Sequence, residues 1–182
     1  MYKKINIVIT GATSGIGFQT CKLLSSQEFN IIGTGSTKIS CLDARKKFKR
    51  DNIKFFDCDL SDHNSIKLLS QKIESEFQTI DILVNNAGKL FIKPELDPKG
   101  IEKTFSVNYL GHYLLTRLLL KKILTSNCPR IINVSSVAHK RGILDLSQLN
   151  NTNLTAFQAY SRSKLSQILF MKILSKKLES SN

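Results

Sequence analysis

The fold is decided by residues 5–17, which read INIVITGATSGIG. The first five, Ile5–Ile9, form a short apolar run rich in β-branched residues, which is typical of a parallel strand buried on both faces. A glycine-rich turn follows, and apolar or small residues then recur at helical spacing over Ile16–Ser26. A strand, a glycine-rich turn and a helix in this order open the α/β folds that bind dinucleotides.

The same alternation of strand and helix continues along the chain. It predicts an α/β fold with a doubly wound parallel sheet, Rossmann-like, covered by helices on both faces. We expect one domain over residues 1–182, incomplete at the C-terminus because a dinucleotide fold usually has six or more strands. After Ile5–Ile9, strands are predicted at Asn30–Thr34, Ile53–Asp57, Thr79–Val84 and Arg130–Ser135, and helices at Ile16–Ser26, Ser40–Arg50, Asn64–Phe77, Ile101–Thr125 and Thr155–Glu179.

The turn after the first strand has the pattern of a phosphate cradle. Gly11 permits a tight turn, Gly15 lets the backbone approach a diphosphate, and Gly17 lets the helix pack close to the strand. The helix N-terminus then offers free N–H groups and a partial positive charge. The alternative is a glycine-rich turn that holds no ligand. The residues expected to bind the cofactor here are Gly11, Thr13, Ser14, Gly15, Ile16 and Gly17.

The end of the second strand indicates which nicotinamide cofactor is preferred. An NAD site places Asp or Glu there, about 20 residues beyond the turn, to bind the ribose 2′-hydroxyl. This chain has Ser36, Thr37 and Lys38 instead, and its first carboxylate after them is Asp43. Hydroxyls and a cation suit a 2′-phosphate, so we predict NADP(H) over NAD(H). Lys38 could equally be an ordinary surface lysine.

A candidate catalytic pair opens the last long helix. Tyr160 and Lys164 are four residues apart and therefore share one helical face. A phenol has a pKa of about 10, and a cation one turn away favours the phenolate that can exchange a proton with a carbonyl or alcohol oxygen. Ser136 follows the fifth predicted strand, at the sheet edge where ligands of open α/β sheets bind, and could hold the substrate oxygen.

Charge and composition limit the other classes of function. The chain has 27 Lys plus Arg against 14 Asp plus Glu, a net charge of +13. Such a surplus can mark a nucleic-acid partner, but we interpret it as solvated helix faces and predict no nucleic acid. No apolar run is long enough for a transmembrane segment, and Ile5–Ile9 is too short for a signal peptide.

The cysteines and histidines predict no metal site. The four cysteines form no C-x-x-C pair, so we expect reduced thiols in a cytoplasmic protein. The three histidines lack metal-like spacing, and we interpret all of them as non-catalytic. They are His63, His112 and His139.

Taken together, the motifs resemble the short-chain dehydrogenase/reductase family, and their flanks resemble its retinol-dehydrogenase-like branch. They occur in the family's order over almost the whole chain. The matching residues are Thr10-Gly11-x-x-x-Gly15-Ile16-Gly17, Asp59-Leu60, Asn85-Asn86-Ala87-Gly88, Asn108, Ser135-Ser136 and Tyr160-x-x-x-Lys164.

The resemblance implies a catalytic role for four residues. Tyr160 would be the general acid/base, and Lys164 would favour its phenolate form and bind the nicotinamide ribose, with both contacting the cofactor. Ser136 would hold the substrate oxygen. Asn108 would distort the long fourth helix locally and hold a water in a proton relay that reaches Lys164.

The resemblance also implies further cofactor contacts. Asp59 would bond the adenine amino group with Leu60 beside it, and Asn86, Ala87 and Gly88 would line the adenosine ribose. For Asn86, a structural role in tying strands together is equally consistent. Relatives continue into a sixth and a seventh strand and a loop that covers the substrate, and these are absent after residue 182.

The sequence therefore predicts an NADP-dependent oxidoreductase that transfers hydride between nicotinamide and the carbonyl carbon of a small, apolar substrate. A truncated dinucleotide-binding protein with no catalytic activity is the alternative. The long helices from Ile101 and Thr155 could also form a contact between two copies, which would make the protein a homo-oligomer.

Overall fold

A computed structural model of the chain describes residues 4–93 and 95–179. The outermost residues of the predicted domain, 1–3 and 180–182, lie outside the described residues. The strands are β1 (Ile5–Ile9), β2 (Phe29–Gly35), β3 (Ile53–Asp57), β4 (Ile82–Asn85) and β5 (Arg130–Asn133), and the α-helices are α1 (Gly15–Ser25), α2 (Lys38–Arg45), α3 (His63–Glu76), α4 (Lys103–Phe105), α5 (Gly111–Leu124) and α6 (Ala156–Glu179).

The five strands form one parallel sheet in the order β3-β2-β1-β4-β5. The predicted α/β fold class is therefore confirmed. The Asn85 side chain ties the two last strands together, since its Nδ2 donates to Asn133 Oδ1 at 2.7 Å. The strand order reverses between β1 and β4, and ligands of open α/β sheets bind outside the carboxyl ends of the strands at such a point.

Alternate residues of the strands bury apolar side chains on opposite faces of the sheet. Ile7, Ile9 and Ile31 pack in one cluster with Cys21 of α1. The second cluster joins the other face to α3 and α5, and each side chain buried in it stabilises the fold by about 1.5–3 kcal/mol. Its members include Val8, Ile32, Leu83, Ile66, Leu69, Ile73, Leu115, Leu119 and Ile123.

Helix α2 is shorter than predicted, because the chain turns back to bury an aromatic ring. The predicted helix Ser40–Arg50 ends at Arg45. Phe48 is 9% exposed and packs edge-on against Phe18, with ring centroids 5.4 Å apart. Arg45 fixes this turn, since its Nη1 donates to the Phe48 carbonyl at 2.8 Å. The basic residues that follow therefore lie on a turn rather than on a helix.

Strand β4 begins later than predicted. The predicted strand Thr79–Val84 starts in the structure at Ile82. The preceding residue, Asp81, donates its N–H to the Asn6 carbonyl at 2.9 Å, and Ile80 is fully buried with its N–H on the Lys122 carbonyl at 3.2 Å. The Asp81 carbonyl also accepts from the Arg130 N–H at 2.8 Å, so Asp81 is bonded to both neighbouring strands and only residues 79–80 belong to the connection from α3.

The predicted helix Ile101–Thr125 is a continuous helical run from Lys103 to Leu124 that contains one non-α turn. After α4, a π-helical turn covers Ser106–Leu110 and leads directly into α5. A π turn holds one residue more than an α turn. Among residues 4–93 and 95–179, no helix is long and apolar enough to cross a bilayer.

Candidate active site

Hydrogen bonds join the turn after β1 to the turn after β4. The Thr10 hydroxyl accepts from the backbone N–H groups of Asn86 and Ala87, both at 3.0 Å. The Asn86 side chain donates back to the carbonyls of Thr10 and Gly11, at 2.8 and 3.3 Å. Asn86 thus holds together the two turns that flank the point where the strand order reverses, which is the structural role that the sequence left open for it.

The glycine-rich turn leaves space in front of helix α1. Gly15 has a φ of +53°, which favours glycine, and a Cβ built there meets no described atom within 4 Å. A Cβ on Gly17 would strike the Gly11 carbonyl oxygen and the Asn86 amide. Among the described residues, Ser14 precedes the helix without capping it through its side chain. Backbone N–H groups at a helix N-terminus bind anions, so these residues fit the diphosphate of a dinucleotide.

Two other residues of the turn lie at its edges. Thr13 packs beside the end of β2, where a Cβ on Gly35 would strike its methyl group. Ile16 is 70% exposed on the first turn of α1. The Thr13 contact therefore places the turn next to the residues expected to choose the cofactor.

Those residues surround the start of α2. Ser36 and Lys38 are exposed, and Thr37 is the N-cap of the helix. The Thr37 hydroxyl accepts from the Ser40 N–H at 3.2 Å and donates to the Ser40 hydroxyl at 3.1 Å. The side chains of Ser36 and Lys38 are therefore more available than Thr37 for a phosphate group beyond β2.

Asp59 and Leu60 follow β3 and differ in exposure. Asp59 is exposed, and its Oδ1 accepts from the Ser61 N–H and hydroxyl at 2.8 and 2.7 Å. Leu60 is 6% exposed, and helix α5 lies so close to it that a Cβ on Gly111 would strike its carbonyl. The Leu60 side chain is a core residue, so a nucleotide contact from Leu60 would come from its backbone.

Three predicted site residues meet beyond the carboxyl end of β4. A Cβ built on Gly88 would lie 3.6 Å from Lys164 Nζ and 3.7 Å from Asn108 Oδ1. Asn108 is fully buried in the π turn, which is the helix distortion that the resemblance implies at this residue. Its side chain accepts from the Lys89 N–H at 2.8 Å and donates to the Ser163 hydroxyl at 3.1 Å. The π turn therefore fixes Asn108 against both the β4 turn and helix α6.

Lys164 is the buried cation of this cluster. It is 3% exposed, and its Nζ donates to the Val134 carbonyl at 2.8 Å. Its ammonium lies 5.5 Å from the centroid of the Tyr160 ring, one helical turn away. Burial lowers the pKa of Lys164 to about 8, because the charged form loses its hydration. Near neutral pH this side chain can carry a proton and also lose one at modest cost.

Ser136 begins the short 3₁₀ turn Val137–Arg141 that follows β5. Its hydroxyl accepts from the Ala138 N–H at 3.2 Å, which leaves the hydroxyl proton available. The turn packs against α6, and a Cβ on Gly142 at its end would lie 2.5 Å from the Ser161 carbonyl. The 3₁₀ turn that follows Ser136 therefore packs directly on the part of α6 next to Tyr160.

The sequence analysis did not recognise His112 and Gln167 as partners of this cluster. His112 is 1% exposed, with one ring nitrogen 2.8 Å from the Thr10 hydroxyl and the other 2.8 Å from the Asn108 carbonyl. Gln167 donates to the same carbonyl at 2.9 Å. The spacing of four between Asn108 and His112 was the available signal, since it puts both on one helical face.

Comparison with known proteins gives consistent matches along the chain. A family model described as short chain dehydrogenase matches residues 5–182. Human retinol dehydrogenase 13 is 38% identical over 181 residues, which cover 96% of this chain and 55% of the relative. Human polyprenol dehydrogenase is 33% identical over 172 residues, 90% of this chain and 52% of the relative. The chain thus spans about half the length of these curated relatives.

Solved structures share the fold. An uncharacterized protein from Mycobacterium paratuberculosis superposes with a TM-score of 0.85 at 29% identity, covering 97% of this chain and 63% of that one. A short-chain dehydrogenase from Streptomyces avermitilis superposes with a TM-score of 0.77 at 20% identity, covering 99% and 62%.

Proposed function

The chain belongs to the short-chain dehydrogenase family, and from that premise we propose that it is an NADP(H)-dependent oxidoreductase acting on an alcohol or carbonyl group. When bound, the nicotinamide ring would supply or accept the hydride. The chain's own residues would bind the dinucleotide, orient the substrate oxygen and move its proton. Tyr160, Lys164, Ser136 and Asn108 are the residues proposed for the last two tasks.

The observation that carries the proposal is the meeting of Gly88, Asn108 and Lys164 where the strand order reverses. Gly88 leaves space beside Lys164 Nζ, since even an added Cβ would stay 3.6 Å from it. The glycine-rich turn, joined to the β4 turn through Thr10 and Asn86, opens onto the same end of the sheet. A phosphate cradle and a buried amine on one sheet edge suit a dinucleotide whose far end reaches the amine.

Tyr160 is proposed to exchange the proton with the substrate oxygen. The Lys164 ammonium lies 5.5 Å from the centroid of its ring, one helical turn away. A phenolate can accept a proton from an alcohol, and a phenol can donate one to a carbonyl oxygen. Ser136 would hold the substrate oxygen with the hydroxyl proton that its bond from Ala138 leaves unused.

The preference for NADP(H) is proposed from the residues beyond β2. Ser36 and Lys38 are exposed at the start of α2 and could bind a 2′-phosphate, the cation by charge and the hydroxyl by hydrogen bond. Asp59 and the β4 turn are proposed for the adenine and its ribose. Lys38→Gln should therefore weaken NADPH binding and leave NADH binding unchanged. Lys22→Gln removes an equal charge from the far end of α1 and is the matched control.

An apolar substrate is proposed from the segment that follows Ser136. Val137, Ile143 and Leu146 are 70%, 80% and 68% exposed there. The retinol and polyprenol dehydrogenases among the relatives are named for long apolar alcohols. We therefore place retinoid- and isoprenoid-like primary alcohols and their aldehydes first in a substrate panel.

The test combines binding with turnover. Calorimetry should show NADPH uptake by the purified chain, and the panel should show NADPH oxidation with at least one aldehyde. Tyr160→Phe should abolish turnover and keep NADPH binding within a few-fold of wild type. Tyr113→Phe, whose ring packs on Phe170 at 5.2 Å, is the matched control and should retain turnover.

Two outcomes would count against the proposal in different ways. Equal turnover by Tyr160→Phe and wild type would remove Tyr160 from the chemistry. NADPH binding with no turnover across the panel would favour the dinucleotide-binding protein without catalysis that the sequence allowed as an alternative.

A further inference from the structure

His112 occupies an unusual place for a histidine that binds no substrate. It is the second residue of α5, it is 1% exposed, and both of its ring nitrogens are within hydrogen-bond distance of a partner. One partner, Thr10, opens the glycine-rich turn. The other, the Asn108 carbonyl, belongs to the π turn beside Lys164. A single imidazole therefore stands between the two halves of the proposed site.

The chemistry of the partners determines the direction of each hydrogen bond. A backbone carbonyl only accepts, so the Nδ1–H of His112 donates to Asn108 at 2.8 Å. Nε2 is then the acceptor, and the Thr10 hydroxyl donates to it at 2.8 Å. This direction suits Thr10, because its oxygen already accepts from two backbone N–H groups, those of Asn86 and Ala87.

The surroundings of the ring favour its neutral form. Burial, together with the nearby Lys164 charge, lowers the pKa of His112 to about 4. The ring therefore keeps one donor and one acceptor at neutral pH, which is the arrangement that both partners require.

The chain of hydrogen bonds extends to helix α6. The Asn108 carbonyl that His112 contacts also accepts from Gln167 Nε2 at 2.9 Å. Gln167 lies three residues after Lys164, so it is on the same part of α6. The linked groups are the β4-turn N–H groups, the Thr10 hydroxyl, the His112 ring, the Asn108 carbonyl and the Gln167 amide.

We propose that His112 is a positioning residue that couples the nucleotide-binding turns to the π turn and the Lys164 helix. Its Nε2 orients the Thr10 hydroxyl, and Thr10 in turn holds the β4 turn that leads to Gly88. Its Nδ1–H orients the Asn108 carbonyl. The catalytic consequence of this coupling rests on the oxidoreductase function proposed above, whereas the coupling itself is a property of the folded chain.

The two ring nitrogens can be tested separately with side chains that replace one of them at a time. Gln at 112 can reach the Thr10 hydroxyl with its terminal amide, as Nε2 does. Asn at 112 can donate to the Asn108 carbonyl, as Nδ1 does. Phe keeps the ring volume and removes both bonds.

We expect His112→Phe to lower kcat and to weaken NADPH binding about tenfold; the tenfold factor corresponds to the loss of one net hydrogen bond of about 1.4 kcal/mol, the one to Thr10. His112→Gln should restore NADPH affinity and leave kcat low, and His112→Asn should restore kcat and leave affinity weak. If the role of His112 were only structural, all three substitutions would lower thermal stability, and NADPH affinity and kcat would not be restored by different variants. His63→Gln, at the start of α3, is the matched histidine control and should change neither quantity.

Two readouts do not depend on turnover or on nucleotide binding. Nitrogen-15 NMR of the wild-type chain should show His112 neutral with the proton on Nδ1. Amide hydrogen exchange at Asn86 and Ala87 should be about tenfold faster in His112→Phe and return to the wild-type rate in His112→Gln. These measurements remain decisive if the chain binds no nucleotide, which would refute the proposed function and not the coupling. A proton on Nε2, or unchanged exchange in folded His112→Phe, would overturn the proposal.

Discussion

Replacing Lys164 by Met should remove the contribution of one buried amine, about 2 kcal/mol, from the change in stability between pH 7 and pH 9.5. Lys164 is 3% exposed, and burial lowers its pKa from 10.5 to about 8. In the unfolded chain the Lys164 amine is protonated below about pH 10.5. In the folded chain it becomes protonated only below about pH 8. Through this group, the folded state loses stability as the pH falls through this window, because the unfolded state binds more of this proton there.

The size of the effect follows from the two pKa values. Linkage gives a loss of about 2 kcal/mol in the free energy of unfolding between pH 9.5 and pH 7 from this one group. Lys164→Met also loses the hydrogen bond to the Val134 carbonyl. That loss is the same at both pH values, so it cancels when the pH difference of the variant is subtracted from that of the wild type.

The assay is urea denaturation of wild type, Lys164→Met and Lys172→Met at pH 7 and pH 9.5. Lys172 is exposed on the same helix and is the matched control. Buried thiols such as Cys21, whose pKa burial raises to about 12, affect all three proteins equally. If Lys164→Met and Lys172→Met show the same pH difference as wild type, the buried amine does not carry the penalty and the reasoning fails.

Three further predictions test the packing around the site. Gly17→Ala should cost about 1–3 kcal/mol of stability and weaken NADPH binding at least tenfold, because its methyl group would strike the Gly11 carbonyl; calorimetry showing wild-type affinity would contradict this. Gly142→Ala should lower kcat more than NADPH affinity, because the Ser136 turn must move off the Ser161 carbonyl; a proportionate loss in both would point to general unfolding. Ellman's reagent should modify one thiol in the native protein, Cys128, and four in urea, and fast native labelling of a second thiol would show that the core is open; the protected thiols are Cys21, Cys41 and Cys58.

Local sequence patterns predicted correctly the bounds of two short strands. β1 and β3 have the predicted bounds, because each is a compact apolar run that ends at a polar or glycine residue. The residues Asn85, Asn86 and Gly88 fall beside the glycine-rich turn because β1 and β4 are neighbours in the sheet. The predicted absence of a nucleic-acid partner, the possible homo-oligomer and the cytoplasmic location stay predictions.

The parts that were wrong or missed depend on contacts between distant segments. Helix α2 ends early because Phe48 finds an apolar site against Phe18, and periodicity within the segment carries no information about that site. The link through His112 was missed because its two partners, Thr10 and the Asn108 carbonyl, lie on different elements. Every residue has a backbone carbonyl, so the sequence does not indicate which carbonyl will accept a hydrogen bond from a given side chain.

The π turn at Ser106–Leu110 lets the two halves of one helical run face in different directions. Each residue advances an α-helix by about 100°, and the π turn takes up one surplus residue, so the residues after it face about 100° away from where an uninterrupted α-helix would place them. The half before the turn can thus face α6 through Phe105, while the half after it presents Leu115 and Leu119 to the sheet. A regular α-helix over the same residues would turn one half away from its neighbour, so the π turn is what allows both halves to reach their partners.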